Sequence, residues 1–422
     1  MKLKTDFRKN VLTLMFGVAL AQIIPILITP VLTRIYSPED FGVFALYLSI
    51  VTILASIVCA RYEQAIIIEA KVNDAFLMLL ISLGVCFFVS VFLFFCVLVF
   101  GSNISVLFNN DKISEWLMFI PISIFLSGLC QALSVWFNRF KKYKLLSISK
   151  VTLSFFTAFV NLILGFLFAG ALGLVAGNFV GLLACFLLLF MCFFRCGFKS
   201  FSFDVFDKIL LLFKKNKNFP LYDLPATLMN ISAHQSAHIF FNIFFGPAIA
   251  GYYFLMQRIL SAPISLVASS MQDVFKEEVA KIYNQGGNTR ALYLNMLKKL
   301  FLISFIPTVL IFVFVDYLVL FFLGEDWLPV ALYIKIFMPS FFLRFISFPL
   351  SFMFYVSGKQ FINMIGQLFL FLSVIFSFLL GEPYGVVVTM TMISICNSVF
   401  YLVYLFLSYS YTSNGSANFE RG

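Results

Sequence analysis

Tyr36-Ser37-Pro38-Glu39-Asp40-Phe41-Gly42-Val43-Phe44-Ala45-Leu46 recurs as Phe245-Gly246-Pro247-Ala248-Ile249-Ala250-Gly251-Tyr252-Tyr253-Phe254-Leu255. The two prolines and the two glycines are each 209 residues apart, close to half of the 422-residue chain. Each copy joins one long apolar stretch to the next. A repeat at this period marks membrane transporters assembled from two related halves around a central site. Two fainter echoes support it. Gly170-Ala171-Leu172-Gly173-Leu174-Val175-Ala176 parallels Glu382-Pro383-Tyr384-Gly385-Val386-Val387-Val388, which aligns Gly173 with Gly385 at an offset of 212. Leu107-Phe108-Asn109-Asn110 parallels Phe322-Leu323-Gly324-Glu325.

Composition points the same way. The chain is 62% hydrophobic and 11% charged, whereas a soluble domain is roughly half apolar and a quarter charged. Windows of about twenty apolar residues predict an all-α polytopic membrane protein of about twelve spans. They fall near 11–33, 41–62, 75–100, 114–137, 147–169, 171–194, 220–245, 249–271, 299–321, 329–356, 361–381 and 384–409. The first apolar run is too long for a cleaved signal peptide. The eight cysteines are scattered through apolar segments and read as small apolar residues, with no metal set.

Lysine and arginine orient the bundle. With a cytoplasmic N-terminus, 24 of the 29 basic residues fall on the cytoplasmic side. That asymmetry is what the positive-inside rule requires, and it predicts that both termini are cytoplasmic. The net charge of +10 is therefore a topology signal and gives no reason to expect a nucleic-acid partner. Six spans per half is an even number, so the halves share one orientation. The expected organisation is a lobe at 1–198, a linker at 199–218 and a second lobe at 219–422. In the linker Phe203, Phe206, Ile209, Leu210 and Phe213 recur at helical spacing among lysines, which predicts an amphipathic surface helix. The stretch 272–299 is broken by Gly286-Gly287 and predicts two helices that extend spans eight and nine.

Long extramembrane loops able to carry catalytic groups are missing, so the candidate functional groups are polar residues within spans, where they are costly unless they face a cavity or a partner. In span seven Asp223, Thr227, Asn230, His234, His238 and Asn242 form a single helical stripe. It includes both histidines, and Asp223 is flanked by Pro220 and Pro225, which would bend or loosen the first turn. The stripe is a candidate cavity wall, with Asp223, His234 and His238 as candidate ion-coupling groups. Packing of the stripe by interhelical hydrogen bonds is the alternative. The equivalent span one carries Pro25, Thr29, Pro30 and Thr33. Arg258 and Arg344 are deep in spans eight and ten, while Arg34 and Arg61 stand near opposite mouths. Arginine grips phosphate oxygens through paired hydrogen bonds, so these four suit an anionic substrate. Structural ion pairs, such as Arg61 with Glu63 or Arg258 with Asp223, are the alternative.

Several stretches resemble one family. They are Thr33-Arg34-Ile35-Tyr36-Ser37-Pro38-Glu39-Asp40-Phe41-Gly42-Val43-Phe44, Arg61-Tyr62-Glu63-Gln64-Ala65-Ile66, Trp136-Phe137-Asn138-Arg139, Asn218-Phe219-Pro220 and Phe322-Leu323-Gly324-Glu325-Asp326-Trp327. In order and placement they look like bacterial polysaccharide (O-antigen) flippases of the multidrug/oligosaccharidyl-lipid/polysaccharide (MOP) exporter superfamily. The resemblance implies a MATE-like, V-shaped bundle of two pseudo-symmetric six-helix lobes in the bacterial inner membrane. It implies a transporter, not an enzyme, that moves an undecaprenyl-pyrophosphate-linked oligosaccharide to the periplasmic leaflet by alternating access. No cofactor is implied beyond a proton or sodium gradient. The partners implied are the lipid bilayer and the polymerase and chain-length regulator of the same pathway. By motif it places Arg34 and Arg61 in the substrate cavity; Arg258, Arg344, Asn230 and Thr29 join them on physical grounds alone. A cation-coupled multidrug exporter of the same fold and a membrane polysaccharide polymerase are the competing functions. The first would favour acidic cavity residues, and the second would need a long outer loop.

Overall fold

The computed structural model describes residues 2–107, 116–168, 170–195 and 205–412. Within them the chain is helical, in the order α1 (Lys2–Ile35), α2 (Pro38–Ala55), α3 (Ala65–Ile68), α4 (Val72–Leu107), α5 (Phe119–Arg139), α6 (Tyr143–Leu167), α7 (Leu172–Arg195), α8 (Val205–Lys215), α9 (Leu224–Phe245), α10 (Pro247–Pro263), α11 (Ser269–Asn284), α12 (Arg290–Leu323), α13 (Leu328–Leu350), α14 (Met353–Val356), α15 (Gln360–Gly381) and α16 (Val386–Ser410). Eleven helical stretches among the described residues are long and apolar enough to cross a membrane. The predicted span seven, α9, is not among them, although its 22 residues reach about 33 Å. Its polar stripe, not its length, sets it apart.

Boundaries differ from the sequence reading where the chain turns. Span two ends at Ala55, and residues 56–61 form turns in which Ala60 and Arg61 have φ of 48° and 62°. Gly286, at φ 69°, separates α11 from α12, as the Gly-Gly pair predicts. Phe203, Lys112, Lys199, Arg421 and the Phe108–Asn110 part of the third echo lie outside the described residues.

Packing divides the chain into two units, Met1–Gly251 and Tyr252–Gly422. In the first, α4 lies on α5, α6 on α7, and α5 on α7. In the second, α12 lies on α13, α15 on α16, and α13 on α16. The same neighbour scheme is thus built twice. The first unit also holds α1 along α6, and α2 against α5 and α9. Its core gathers Tyr62, Ile66, Met78, Trp136, Phe137 and Leu212. In the second unit Phe354, Leu370, Phe400 and Tyr404 pack together.

The repeated motif explains why the first unit runs on to Gly251. Ser37 caps α2 by a reciprocal pair: its hydroxyl accepts the Asp40 N–H at 3.2 Å, and the Asp40 carboxylate accepts the Ser37 N–H at 3.0 Å. Pro38 then opens α2 and Pro247 opens α10, where a missing N–H costs nothing. The two helix starts cross with backbone touching backbone. A Cβ added to Gly42 would fall 1.8 Å from the Pro247 carbonyl oxygen, and one added to Gly251 would fall 1.9 Å from that of Pro38. The contact is reciprocal, proline to glycine in both directions.

Tyr36 extends this corner to α6 and α7. Its hydroxyl donates to the Asn161 carbonyl oxygen at 2.6 Å and lies where a Cβ on Gly173 would have to go, at 1.9 Å. Gly173 is therefore a helical packing residue. The glycine of positive φ that precedes α7 is Gly170, at 94°, matching Gly385 before α16, also at 94°. The 212-residue register of the second echo is corrected to 215 by this geometry.

Gly42→Ala and Gly251→Ala are each expected to destabilise the protein by about 1–3 kcal/mol, because a backbone carbonyl group cannot step aside as a side chain can. Gly84, within α4, has nothing within 4 Å of an added Cβ and serves as the control. Thermal unfolding of the purified protein in detergent measures all three; equal melting temperatures for Gly42→Ala and Gly84→Ala would refute the crossing.

Candidate functional site

Three of the five family-like stretches, far apart in sequence, meet at the basic end of the first unit. The meeting point is the segment 56–71 between α2 and α4. Arg61 opens a single 3₁₀ turn, Tyr62–Gln64. Its left-handed backbone is uncommon for a residue other than glycine, and it turns the guanidinium back against α9. Arg61 Nε donates to Asp223 Oδ2 at 2.7 Å, and Nη1 donates to Glu63 Oε1 at 3.4 Å. Glu63 is fully buried, and Gln131 Nε2 of α5 donates to the same Oε1 at 3.0 Å. Burial pushes the Glu63 carboxyl above the ordinary carboxylate range, against the pull of Arg61.

Asp223 closes the π-helical turn Phe219–Asp223 that leads into α9. This bears out the loosened first turn expected from Pro220 and Pro225. Asp223 pairs with Arg61, and the Arg61–Glu63 pair weighed from the sequence is also made.

Other residues clamp the same segment, and the sequence reading did not single them out for this. Arg139, at the end of α5, donates from Nη1 to the Ile66 and Ile67 carbonyl oxygens at 2.7 and 3.1 Å, and from Nη2 to that of Ala70 at 3.3 Å. Glu69 receives Lys215 Nζ on both oxygens, at 2.9 and 2.7 Å, and Asn216 Nδ2 at 2.9 Å. Burial pushes the Glu69 carboxyl up, but Asn216, Lys215 and the nearby Arg139 charge outweigh it and hold it below the ordinary range. The amphipathic helix expected in the linker does form, as α8. It is docked on the first unit by these bonds, by buried Leu212 and by Phe213, whose ring lies 4.8 Å from that of Tyr62. Leu210 and Leu211 remain exposed.

A cavity of about 600 Å³ opens beside the Arg61–Asp223 pair. Gln64, Asn218 and Tyr222 supply its other polar groups; Ile67, Ile68, Phe219 and Ala226 complete the wall.

The span-seven stripe is graded along α9. Asn230 and His234 are exposed, whereas His238 and Asn242 are buried. On the neighbouring face, Ser49 of α2 donates to Gln235 Oε1 at 3.2 Å. In α1, Thr29 is buried and its hydroxyl donates to the Pro25 carbonyl oxygen at 2.7 Å, so it serves its own helix. Arg34 is exposed in the last turn of α1, a position that suits a cation.

In the second unit Arg258 and Arg344 are half-buried. The Arg344 guanidinium lies over the Phe341 ring, 5.6 Å from its centroid, and close enough to Tyr253 and Tyr401 to interact with their phenols. Gln257 Nε2 donates to the Tyr253 hydroxyl at 2.7 Å. Among the described residues no carboxylate pairs with Arg344. Asp316, an acid within a span, is held by Lys335 at 2.5 Å. A second π-helical turn, Ile264–Ala268, follows Pro263 in span eight.

Residues 31–332 match the family described as polysaccharide biosynthesis protein. No curated protein matches the sequence. Among solved structures, the lipid II flippase MurJ in an inward closed conformation is similar with a TM-score of 0.72 and 16% identity, over 95% of this chain and 87% of that one. The MATE multidrug transporter DinF-BH gives 0.68 and 16%, over 96% and 94%. A MOP superfamily transporter from Pyrococcus furiosus gives 0.65 and 15%, over 96% of each chain. At these identities the likeness is one of fold: the chain has the MOP transporter architecture.

Glu69 yields a pH prediction. Its folded-state carboxyl titrates below its unfolded value, so its contribution is complete at neutral pH and is lost as pH falls from about 4.3, the ordinary glutamate value, through the lower folded-state value. Because Lys215 is largely exposed, that contribution is modest. Glu69→Gln should lower the melting temperature at pH 7 and flatten the loss of stability below about pH 5. Parallel acid limbs for the two proteins would contradict the assignment.

Proposed function

We propose that this chain, which belongs to the polysaccharide biosynthesis protein family matched over residues 31–332, is a flippase for a lipid-linked oligosaccharide. In this reading it carries an undecaprenyl-pyrophosphate-linked repeat unit, of O-antigen type, from the cytoplasmic to the periplasmic leaflet of a bacterial inner membrane. Lobes 1–198 and 219–422, joined by 199–218, alternate access to the two sides. Both termini are cytoplasmic, as the charge asymmetry requires.

The observation that carries the reading is Arg344. A guanidinium in a span, set over the Phe341 ring and with no carboxylate pair among the described residues, keeps its charge for an anionic ligand. Its planar fork suits the oxygens of a pyrophosphate. Arg258 acts with it, one and a half turns after Tyr253 on α10. The competing exporter of cations needs free intramembrane acids; Asp223 and Asp316 are each neutralised by a basic partner. Similarity of fold to a lipid II flippase is in keeping with a polyprenyl-linked substrate. An ion gradient supplies the drive, and His234, on the exposed part of the stripe, is a better coupling group than buried His238.

A strain lacking the gene is expected to accumulate lipid-linked repeat units on the cytoplasmic face of its membrane. Arg344→Ala and Arg258→Ala should each fail to restore surface polysaccharide while inserting normally, and Arg344→Lys should restore it only in part. Periplasmic accumulation in the deletion strain would instead identify a polymerase, and full display from both alanine variants would remove the arginines from the mechanism. In reconstituted vesicles, replacing His234 and His238 by Gln should shift the pH dependence of turnover; an unshifted profile rejects coupling through them.

A further inference from the structure

The sequence pairs Arg61 with the phosphate-binding arginines, and the structure separates them. Arg344 has no carboxylate partner among the described residues, whereas Arg61 stands between two, Asp223 at 2.7 Å and Glu63 at 3.4 Å. A pyrophosphate approaching Arg61 meets the Asp223 carboxylate on the same rim, so the charge that would attract it is already cancelled.

What the cavity retains is a fixed array of hydrogen-bonding groups. Asp223 accepts, the remaining Arg61 N–H groups donate, and the Gln64 and Asn218 amides do both. Tyr222 adds a largely exposed aromatic ring, and Ile67, Ile68 and Phe219 add apolar wall. A pyranose ring has the complementary surface. Its hydroxyls need paired donors and acceptors, and its C–H face packs on an aromatic ring. A volume of about 600 Å³ is within the ordinary range for small-ligand sites. The segment that carries Arg61 and Gln64 is also braced. Gln131 fixes Glu63, Arg139 fixes the carbonyl groups of Ile66, Ile67 and Ala70, and Lys215 and Asn216 fix Glu69. Preorganisation of this kind lowers the cost of binding a weak, polar ligand.

We propose that the cavity beside Arg61 and Asp223 is a carbohydrate subsite that takes an uncharged sugar ring of the substrate and excludes its phosphates. The assignment rests on the flippase reading above for the source of the sugar, but its chemistry does not. Asp223 has two duties in it, as a hydroxyl acceptor and as the counter-charge that closes Arg61 to phosphate.

Those duties give a test in which one substitution moves two ligands in opposite directions. Tyr222→Trp places a fluorescent ring on the exposed wall of the cavity in the full-length protein in detergent. Titration with a panel of free hexoses, 6-deoxyhexoses and N-acetylhexosamines is expected to give a saturable emission change, relative to wild type, for at least one sugar. Inorganic pyrophosphate should give none. Adding Asp223→Asn should weaken the sugar response about tenfold and create a saturable pyrophosphate response; Gln64→Ala should weaken the sugar response and leave pyrophosphate without effect. Saturation-transfer NMR on the wild-type protein with the same panel keeps the test independent of the reporter. Saturable pyrophosphate binding with Asp223 in place, or no response to any sugar by either method, overturns the proposal. The deletion-strain assay judges the flippase reading separately, since accumulation there does not depend on which cavity holds the sugar.

Discussion

The structure depends on one backbone crossing. At the starts of α2 and α10, Gly42 takes the Pro247 carbonyl oxygen and Gly251 takes that of Pro38, at distances that leave no room for any side chain. Proline fixes the first turn of each helix and glycine, four residues later and one turn on, clears the space for the other copy's proline. The same spacing in both copies makes the contact self-complementary. It accounts for the packing of the first six spans with α9 and the start of α10 in one unit. Interiors pack as solids, so such a contact is either made or lost.

At the other end of the same unit, order is maintained by charge. Segment 56–71 has little regular structure and holds its place through side chains: Arg139 on its carbonyl groups, Lys215 and Asn216 on Glu69, Gln131 on Glu63 and Asp223 on Arg61. A segment of this sort inside a membrane protein is tolerated only where its polar groups are met by protein or water. The clamp draws α8 onto the first unit, so the first part of the connection between the repeats is anchored to one of them.

Much of this was legible in the sequence, and the limits have physical causes. The succession of spans, the Pro–Gly repeat, the loosened turn at Asp223 and the helix at α8 follow from local pattern, and each is present. The partners of Arg61 were foreseen only in part: Glu63 is two residues away, but Asp223 is 162 residues away and no periodicity links them. From the sequence Lys215 is simply one of the cytoplasmic-side charges, because a lysine that anchors a helix and a lysine that orients a bundle look alike until the fold brings a carboxylate to one of them. The Gly173–Gly385 alignment failed for a related reason. Both Gly170 and Gly173 are glycines required by structure, one by a positive φ and the other by the Tyr36 hydroxyl, and sequence alone does not tell a turn glycine from a packing glycine.

The asymmetry between the halves is one of compensation more than of charge. The first half has Arg61, but folds two carboxylates onto it. The second half has Arg344, and sets it over the Phe341 ring. An ion pair presents donors and acceptors at little net field, which suits neutral polyols; a cation over an aromatic ring presents a field and few acceptors, which suits an anion. A substrate made of sugar joined to pyrophosphate needs both environments. The copies differ at these charged positions, whereas the Pro–Gly crossing has the same spacing in both.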